Sequence, residues 1–321
     1  MAALFRVIGA LSCACAAAAS TTVLPSFSVW AHAHARAYAT PAAEAAARAA
    51  FAENAALVAA HELERAAGRA THSLALNAFA DMTAADFAAA FGLGAAAAAP
   101  GLLRGAAAAE ATMAAAALPS GVDWLARGFV PPVRNSGACA DGGTLAFAAA
   151  VSAAGGILAG KLTTLYDPAQ IGACDGCGCN GCLASAPWAW ALKHGVTSNF
   201  SASGDGCGYA ATLRVTRENR VQPRNDTALA AALVSGPTLV AIDLAALQLY
   251  SGGIVTSACA PTVDSIVMAV TYEPSFFRIQ NTWGAGWGEK GFARIGRGGK
   301  APAEGYCGIL SSAAWPTVEA A

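Results

Sequence analysis

Eight of the ten cysteines in this 321-residue chain lie between positions 139 and 307. An even number of cysteines in a secreted protein predicts disulfides, and these restrict the fold to arrangements that bring the paired residues together. The other two, Cys13 and Cys15, belong to an apolar stretch that follows Arg6 and ends in small residues. This pattern predicts a secretory signal peptide at 1–19, with an ordinary buried helix as the alternative.

Zinc binding is the alternative to disulfides, because four cysteines stand close together: Cys174, Cys177, Cys179 and Cys182. Structural zinc sites usually take two short cysteine pairs that are separated by a longer loop. Four cysteines within one short segment fit this arrangement poorly. We therefore expect cross-links here, and neither a metal nor another cofactor.

Charge and hydropathy exclude two classes of partner. The net charge of −1 gives no electrostatic reason to expect nucleic acid binding. After the signal, the best candidate for a membrane span is 239–249, which is short and carries Asp243. We expect a protein that binds neither nucleic acid nor membrane, with ample apolar material for a core because 56% of its residues are hydrophobic.

An amphipathic helix is predicted near the N-terminus. Its residues at spacings of three or four lie along one stripe: Glu44, Arg48, Phe51, Asn54, Val58 and Glu62. The stripe resembles the propeptide helix of papain-like cysteine peptidase zymogens, which has Asn where this chain has Glu62. The segment 77–83 is similar to the second propeptide motif, with Ala75 where glycine is usual.

Further motifs extend the resemblance through most of the chain. The Gly/Ala-rich segment 92–117 is typical of a linker, and the segment beginning at Leu118 resembles the start of a mature peptidase. Similar matches follow at 155–162, 178–181, 236–243, 250–254, 281–288 and 305–309. The resemblance implies an α+β, papain-like two-domain fold, with a helical left domain and a β-barrel right domain, preceded by a helical propeptide.

The same resemblance implies four segments and a set of disulfides. The segments are a signal peptide at 1–19, an inhibitor-type propeptide at 20–91, a propeptide tail at 92–117 and a peptidase domain at 118–321. The implied bridges are Cys139–Cys179, Cys174–Cys207 and Cys259–Cys307. Cys177 and Cys182 are left over and could close a fourth bridge, which the family pattern does not contain.

The catalytic residues of this family are largely absent. Its members use a cysteine thiolate at the start of the central helix, a histidine base, an asparagine that orients the histidine, and a glutamine in the oxyanion hole. Here the nucleophile position holds Gly142 when counted from Cys139, or Thr144 when counted back from 146–147. Ser265 stands at the histidine position and Ser136 at the glutamine position. Of the four, only Asn281 is retained.

No other residue is expected to replace them. The one histidine after the propeptide, His194, is predicted to be a solvated residue in a surface turn after a helix. A hydroxyl nucleophile at Thr144 needs an adjacent base, and Ser265 cannot serve as one. We expect Asp141 or Thr144 to cap the central helix instead.

These observations predict a catalytically inactive, secreted homologue of papain-like peptidases. It would be a monomer in an extracellular or lysosome/vacuole-like compartment, and would bind its own propeptide and a peptide or protein in the remnant cleft. The first alternative is an active cysteine endopeptidase, if residues 136–147 and 265 are misread. The second is a noncatalytic storage or structural protein of the secretory pathway.

Overall fold

The computed structural model describes residues 24–93, 118–137, 141–174, 185–198, 207, 210–257, 259 and 263–321. The predicted signal peptide, nearly all of the linker, and Cys139, Cys177, Cys179 and Cys182 lie outside these residues. The predicted bridges Cys139–Cys179 and Cys177–Cys182 therefore remain predictions.

The N-terminal segment forms the helices α1 (Phe27–Ala33), α2 (Pro41–Ala66) and α3 (Ala84–Ala90) and the strand β1 (His72–Leu74). Helix α2 begins after Thr40, whose hydroxyl accepts the Ala43 N–H, and has proline at its first position. The predicted stripe buries Phe51, Asn54 and Val58. The Asn54 amide donates to the carbonyls of Ala80 and Met82, both at 2.9 Å, and so fixes the loop that follows β1.

Three helices stand beside the main sheet: α4 (Gly142–Ala159), α5 (Pro168–Cys174) and α6 (Ser185–His194). Helix α4 ends where Gly160 adopts a left-handed conformation, with φ at 76°. Phe147 and Val151 of α4 pack with Trp188 of α6 and with strand residues in one apolar core.

Helix α4 corrects the expectation about membrane spans. Among the described residues it is the one helix that is long and apolar enough to cross a bilayer, rather than the segment 239–249. Half of it is buried inside the fold, however, and it packs against three strands, as a core helix does. The segment 239–249 contains a buried strand and a short 3-10 helix at Ala245–Leu247.

Eight further strands build the barrel side of the molecule: β2 (Val122–Asp123), β3 (Leu213–Arg220), β4 (Thr238–Ile242), β5 (Tyr250–Val255), β6 (Ser265–Tyr272), β7 (Phe276–Gln280), β8 (Phe292–Gly296) and β9 (Ala313–Ala320). Their order is β1-β5-β8-β7-β6-β4-β9-β3, with β2 paired to β6. All neighbours are antiparallel except β5 and β8. Helix α7 (Asp226–Ser235) packs on this sheet through Leu229 and Leu233.

The N-terminal segment is part of the same folded body. Strand β1 adds to the edge of β5, and the Ala75 N–H donates to the Leu249 carbonyl at 2.9 Å. The Asn77 amide donates to the Gln248 carbonyl at 2.7 Å, and the Gln248 amide donates back to the carbonyls of Phe79 and Met82. We call residues 24–93 the prosegment from here on.

Two disulfides lie within the described residues, Cys174–Cys207 and Cys259–Cys307, and both are among those that the resemblance implies. Since Cys174 is bonded to Cys207, it cannot be a thiolate ligand, and the four-cysteine zinc site considered above loses one of its members.

Candidate functional site

One wall of the site is made by two chain segments that are hydrogen-bonded to each other. The Ser136 N–H donates to the Thr282 carbonyl at 2.9 Å, and the Gly284 N–H donates to the Arg134 carbonyl at 3.0 Å. The Gln280 amide donates to the Pro131 carbonyl at 2.6 Å. Ser136 is thereby held beside the segment that carries Asn281.

The start of α4 meets this wall. A Cβ atom placed on Gly142 would lie 3.1 Å from Thr282 Oγ1, so the helix begins in contact with the residue that follows Asn281. The structure thus brings Gly142, Ser136 and Asn281 to one place, and no side chain extends from the first of these positions.

Asp141 occupies the N-cap position of α4, but the predicted capping hydrogen bond from a side chain is not made. Thr144 is instead the third helical residue, 2% exposed, and its hydroxyl has no hydrogen-bond partner in the described part of the chain. Its side chain is buried and makes no capping hydrogen bond. The Asp141 carboxylate lies beside α5, because a Cβ on Gly172 would be 3.5 Å from one of its oxygens.

Ser265 and Asn281 lie at the same end of the β6–β7 pair. Ser265 is the first residue of β6, while Asn281 directly follows β7, and Met268 pairs with Gln280 between them. Asn281 is completely buried. Its Oδ1 accepts the Thr282 N–H at 2.7 Å, whereas its Nδ2 has no partner among the residues described. Asn281 Oδ1 is the atom to which a histidine N–H would donate, and among the described residues the Ser265 hydroxyl makes no hydrogen bond with it.

Asp264, next to Ser265, has a role that the sequence did not reveal. One of its carboxylate oxygens accepts the Leu244 N–H at 2.7 Å and the other accepts the Ala245 N–H at 3.0 Å. Burial raises the pKa of Asp264 to about 6, and the nearby Asp243 carboxylate acts in the same direction, against these hydrogen bonds. Because both oxygens are engaged, Asp264 braces a turn and is poorly placed to act as a general base. In the sequence, only its position directly before Ser265 pointed to Asp264 as part of the site.

The histidines lie elsewhere. His194 is the last residue of α6, exposed, with its ring stacked on Trp190 at 5.5 Å. The other four histidines of the chain belong to the prosegment: His32, His34, His61 and His72. None of the five makes a hydrogen bond with the Asn281 side chain in the described structure.

The prosegment covers one side of the site. Trp283 is 5% exposed because three prosegment rings pack around it, those of Phe79, Phe87 and Phe91, at centroid distances of 5.7, 4.8 and 5.2 Å. On the other side Trp283 contacts Trp287 at 5.2 Å. The sequence did not reveal these prosegment partners of Trp283.

Comparison with known proteins matches both parts of the chain. Residues 118–317 match the family described as papain family cysteine protease, and residues 27–87 match the cathepsin propeptide inhibitor domain (I29). Papain from Carica papaya is 35% identical over 218 residues, which are 62% of this chain and 61% of the length of that relative. Cysteine endopeptidase RepA from Oryza sativa subsp. japonica is 30% identical over 291 residues, 83% of this chain and 76% of the relative.

A solved structure shows the same architecture. The recombinant stem bromelain precursor superimposes with a TM-score of 0.77 at 25% identity, over 91% of this chain and 97% of the bromelain chain. The α+β, papain-like fold with a helical propeptide is confirmed by this match.

Proposed function

Because the chain belongs to the papain family of cysteine proteases, we propose that it is a member with the proenzyme layout that has lost peptidase activity and binds a peptide or protein segment through its cleft. The observation that carries this proposal is the Asn281 amide. It is kept in place and fully buried, but its Oδ1, the atom to which the family's histidine would donate, accepts the Thr282 N–H instead, and no histidine among the described residues bonds to it.

The nucleophile is missing under either way of counting. Gly142 has no side chain, and the Thr144 hydroxyl is buried with no base within hydrogen-bond reach in the described structure. A hydroxyl without a base is a weak nucleophile at neutral pH. Loss of residues that act as one catalytic unit costs roughly 10⁴ to 10⁶ in turnover, so the family's reaction should be undetectable.

The contacts that hold the proposed binding surface together, by contrast, are present. The backbone hydrogen bonds that join 134–136 to 282–284 and the contact between Trp283 and Trp287 do not involve the prosegment. A cleft of this kind can hold an extended peptide without cutting it. This separates the proposal from the storage or structural alternative, which needs no binding at the cleft.

The remaining expectations belong to the same proposal. We propose a signal peptide at 1–19, a propeptide at 20–91 with its tail at 92–117, and a peptidase-like domain at 118–321. The protein would be a monomer in the secretory pathway, delivered to an extracellular or lysosome/vacuole-like compartment. Without a nucleophile it cannot remove its own propeptide, so it keeps the segment or another protease cuts it.

Two measurements test this proposal. Mass spectrometry of the secreted chain from a host that lacks other peptidases should find the propeptide attached, and a chain starting near Leu118 would contradict inactivity. A fluorescent peptide library should bind saturably once the propeptide has been cut by an added protease, and free 20–117 should displace it. Absence of binding would favour the storage or structural alternative.

A further inference from the structure

Asn225 begins a short motif for N-linked glycosylation, Asn-X-Ser/Thr, because Thr227 stands two positions after it. The motif lies between β3 and α7, directly after a turn at 223–224. A second motif of this kind, at 199–201, lies outside the described residues. Because so short a motif recurs by chance, the position of the Asn225 amide in the fold decides whether a sugar can be carried there.

The cap of α7 fixes the orientation of the Asn225 amide. Its Oδ1 accepts the Ala228 N–H at 2.9 Å, which makes Asn225 the N-cap of the helix. A flipped amide would set two donors against each other, so Nδ2 must be the atom on the other side. Nδ2 donates to Oε1 of the exposed Gln222 at 3.0 Å, its one hydrogen bond within the described part of the chain. The atom that receives a glycan therefore faces the surface, while the atom that the helix needs faces inward.

The backbone around Asn225 is exposed but firmly held. The preceding residues, 222–224, are all exposed. Beneath them, the Arg224 N–H donates to the Leu310 carbonyl at 2.8 Å. On the helix side, Asp226 pairs with Arg297 at 2.8 Å. The glycosylation motif is thus presented at the surface by a segment that the fold anchors on both sides.

Open space lies beside the motif. A surface cavity of about 210 Å³ has Arg224 and Asp226, the two neighbours of Asn225, in its lining, and Gly298 and Gly299 on its other side. A Cβ atom placed on either glycine would meet no atom within 4 Å. A sugar on Asn225 Nδ2 would therefore have room without displacing any part of the fold.

The motif is at the end of the barrel opposite the candidate site. The ion pair between Asp226 and Arg297 ties the start of α7 to the residue that follows β8. The Arg297 N–H donates to the carbonyl of Ser275, which directly precedes β7, whereas Asn281 directly follows β7. A strand of five residues spans roughly 17 Å. A glycan on Asn225 is therefore attached away from the proposed binding surface.

We infer that Asn225 carries an N-linked glycan, which it receives as the chain enters the secretory pathway. The donor is an oligosaccharide linked to a polyprenyl diphosphate. A bond forms between Asn225 Nδ2 and C1 of the first sugar, the bond from C1 to the diphosphate oxygen breaks, and the released diphosphate takes up the proton that Nδ2 loses. Oδ1 and one N–H remain, so the modified side chain still caps α7. The inference rests on the secretory route that belongs to the proposed function.

Peptide mapping of the secreted protein tests the site. The chain is expressed in a eukaryotic host with residues 1–19 replaced by a host signal peptide, so that entry into the pathway is assured. Treatment with a peptide-N-glycosidase in water labelled with heavy oxygen converts a glycosylated asparagine to labelled aspartate. We expect this label at Asn225 in the wild type and in Thr227→Ser, and its complete loss in Thr227→Ala, together with the mass of one glycan. An unlabelled Asn225 in the secreted wild type would overturn the inference.

A second measurement tests the outward orientation of Nδ2. The glycosidase should remove the glycan from the native protein without denaturant, and release only after unfolding would overturn the inference. Thr227→Ala keeps the cap and Asn225→Asp keeps a cap acceptor, so both should fold and be secreted without this glycan.

The chain with its own residues 1–19 tests the proposed function separately. Its retention inside the cell would refute the secretory route and leave the mapping result unchanged.

Discussion

Phe87 is the residue through which the prosegment enters the main core. It lies on α3, is fully buried, and its ring packs at 4.8 Å from Trp283, 4.9 Å from Phe91 and 5.3 Å from Phe79. Truncation of a buried phenylalanine to alanine typically costs about 3–5 kcal/mol, from lost burial and from the cavity left behind. Three tilted or edge-on ring contacts favour the upper part of this range.

We therefore expect Phe87→Ala to lower the free energy of unfolding by about 4 kcal/mol and the melting temperature by roughly 10 °C. Urea unfolding followed by tryptophan fluorescence measures the free energy of unfolding, because Trp283 is buried in the folded chain and becomes exposed when it unfolds. Leu63→Ala on α2 is the control, since Leu63 is 71% exposed and should change stability by less than about 0.5 kcal/mol. A loss below about 1 kcal/mol for Phe87→Ala would refute the view that prosegment and barrel share one core.

Three further predictions concern the barrel. The raised pKa of Asp264 means that the folded chain binds this proton more tightly than the unfolded chain does. The free energy of unfolding should therefore fall by up to about 3 kcal/mol as the pH rises from about 4 to 6. The difference in stability between wild type and Asp264→Asn, measured at each pH, should vary over that window. Gly253→Ala should expose the prosegment to limited proteolysis because its Cβ would clash with β1, whereas Gly298→Ala, also at positive φ but in open space, should not. Replacing Cys259 and Cys307 by serine removes a bridge across 48 residues and should cost about 4 kcal/mol in urea unfolding.

Local patterns predicted several parts of the molecule because each depends on neighbours in sequence. The three-and-four spacing of Phe51, Asn54 and Val58 identified the buried face of α2. Glycine after a helix is a local signal of the same kind, and Gly160 ends α4 in a left-handed conformation. The resemblance to a family located Asn281, Ser265 and Ser136, which no local rule would have brought together.

Long-range packing decided the features that the sequence did not reveal. Whether Thr144 caps α4 or enters the core depends on which way the first turn faces, and this is set by contacts with β6 and β9. The brace formed by Asp264 needs the turn after β4 to lie beside the start of β6.

Direct assay of the recombinant chain is the most decisive measurement, made both with the propeptide attached and after its removal by an added protease. A broad-specificity peptide substrate and a thiol-reactive active-site probe are used together, with papain as the positive control. The proposal that Gly142 or Thr144 stands at the nucleophile position and Ser265 at the base position predicts no hydrolysis above the protein-free rate, and no probe labelling that a papain-type inhibitor blocks. Saturable hydrolysis together with inhibitor-sensitive labelling would contradict the account.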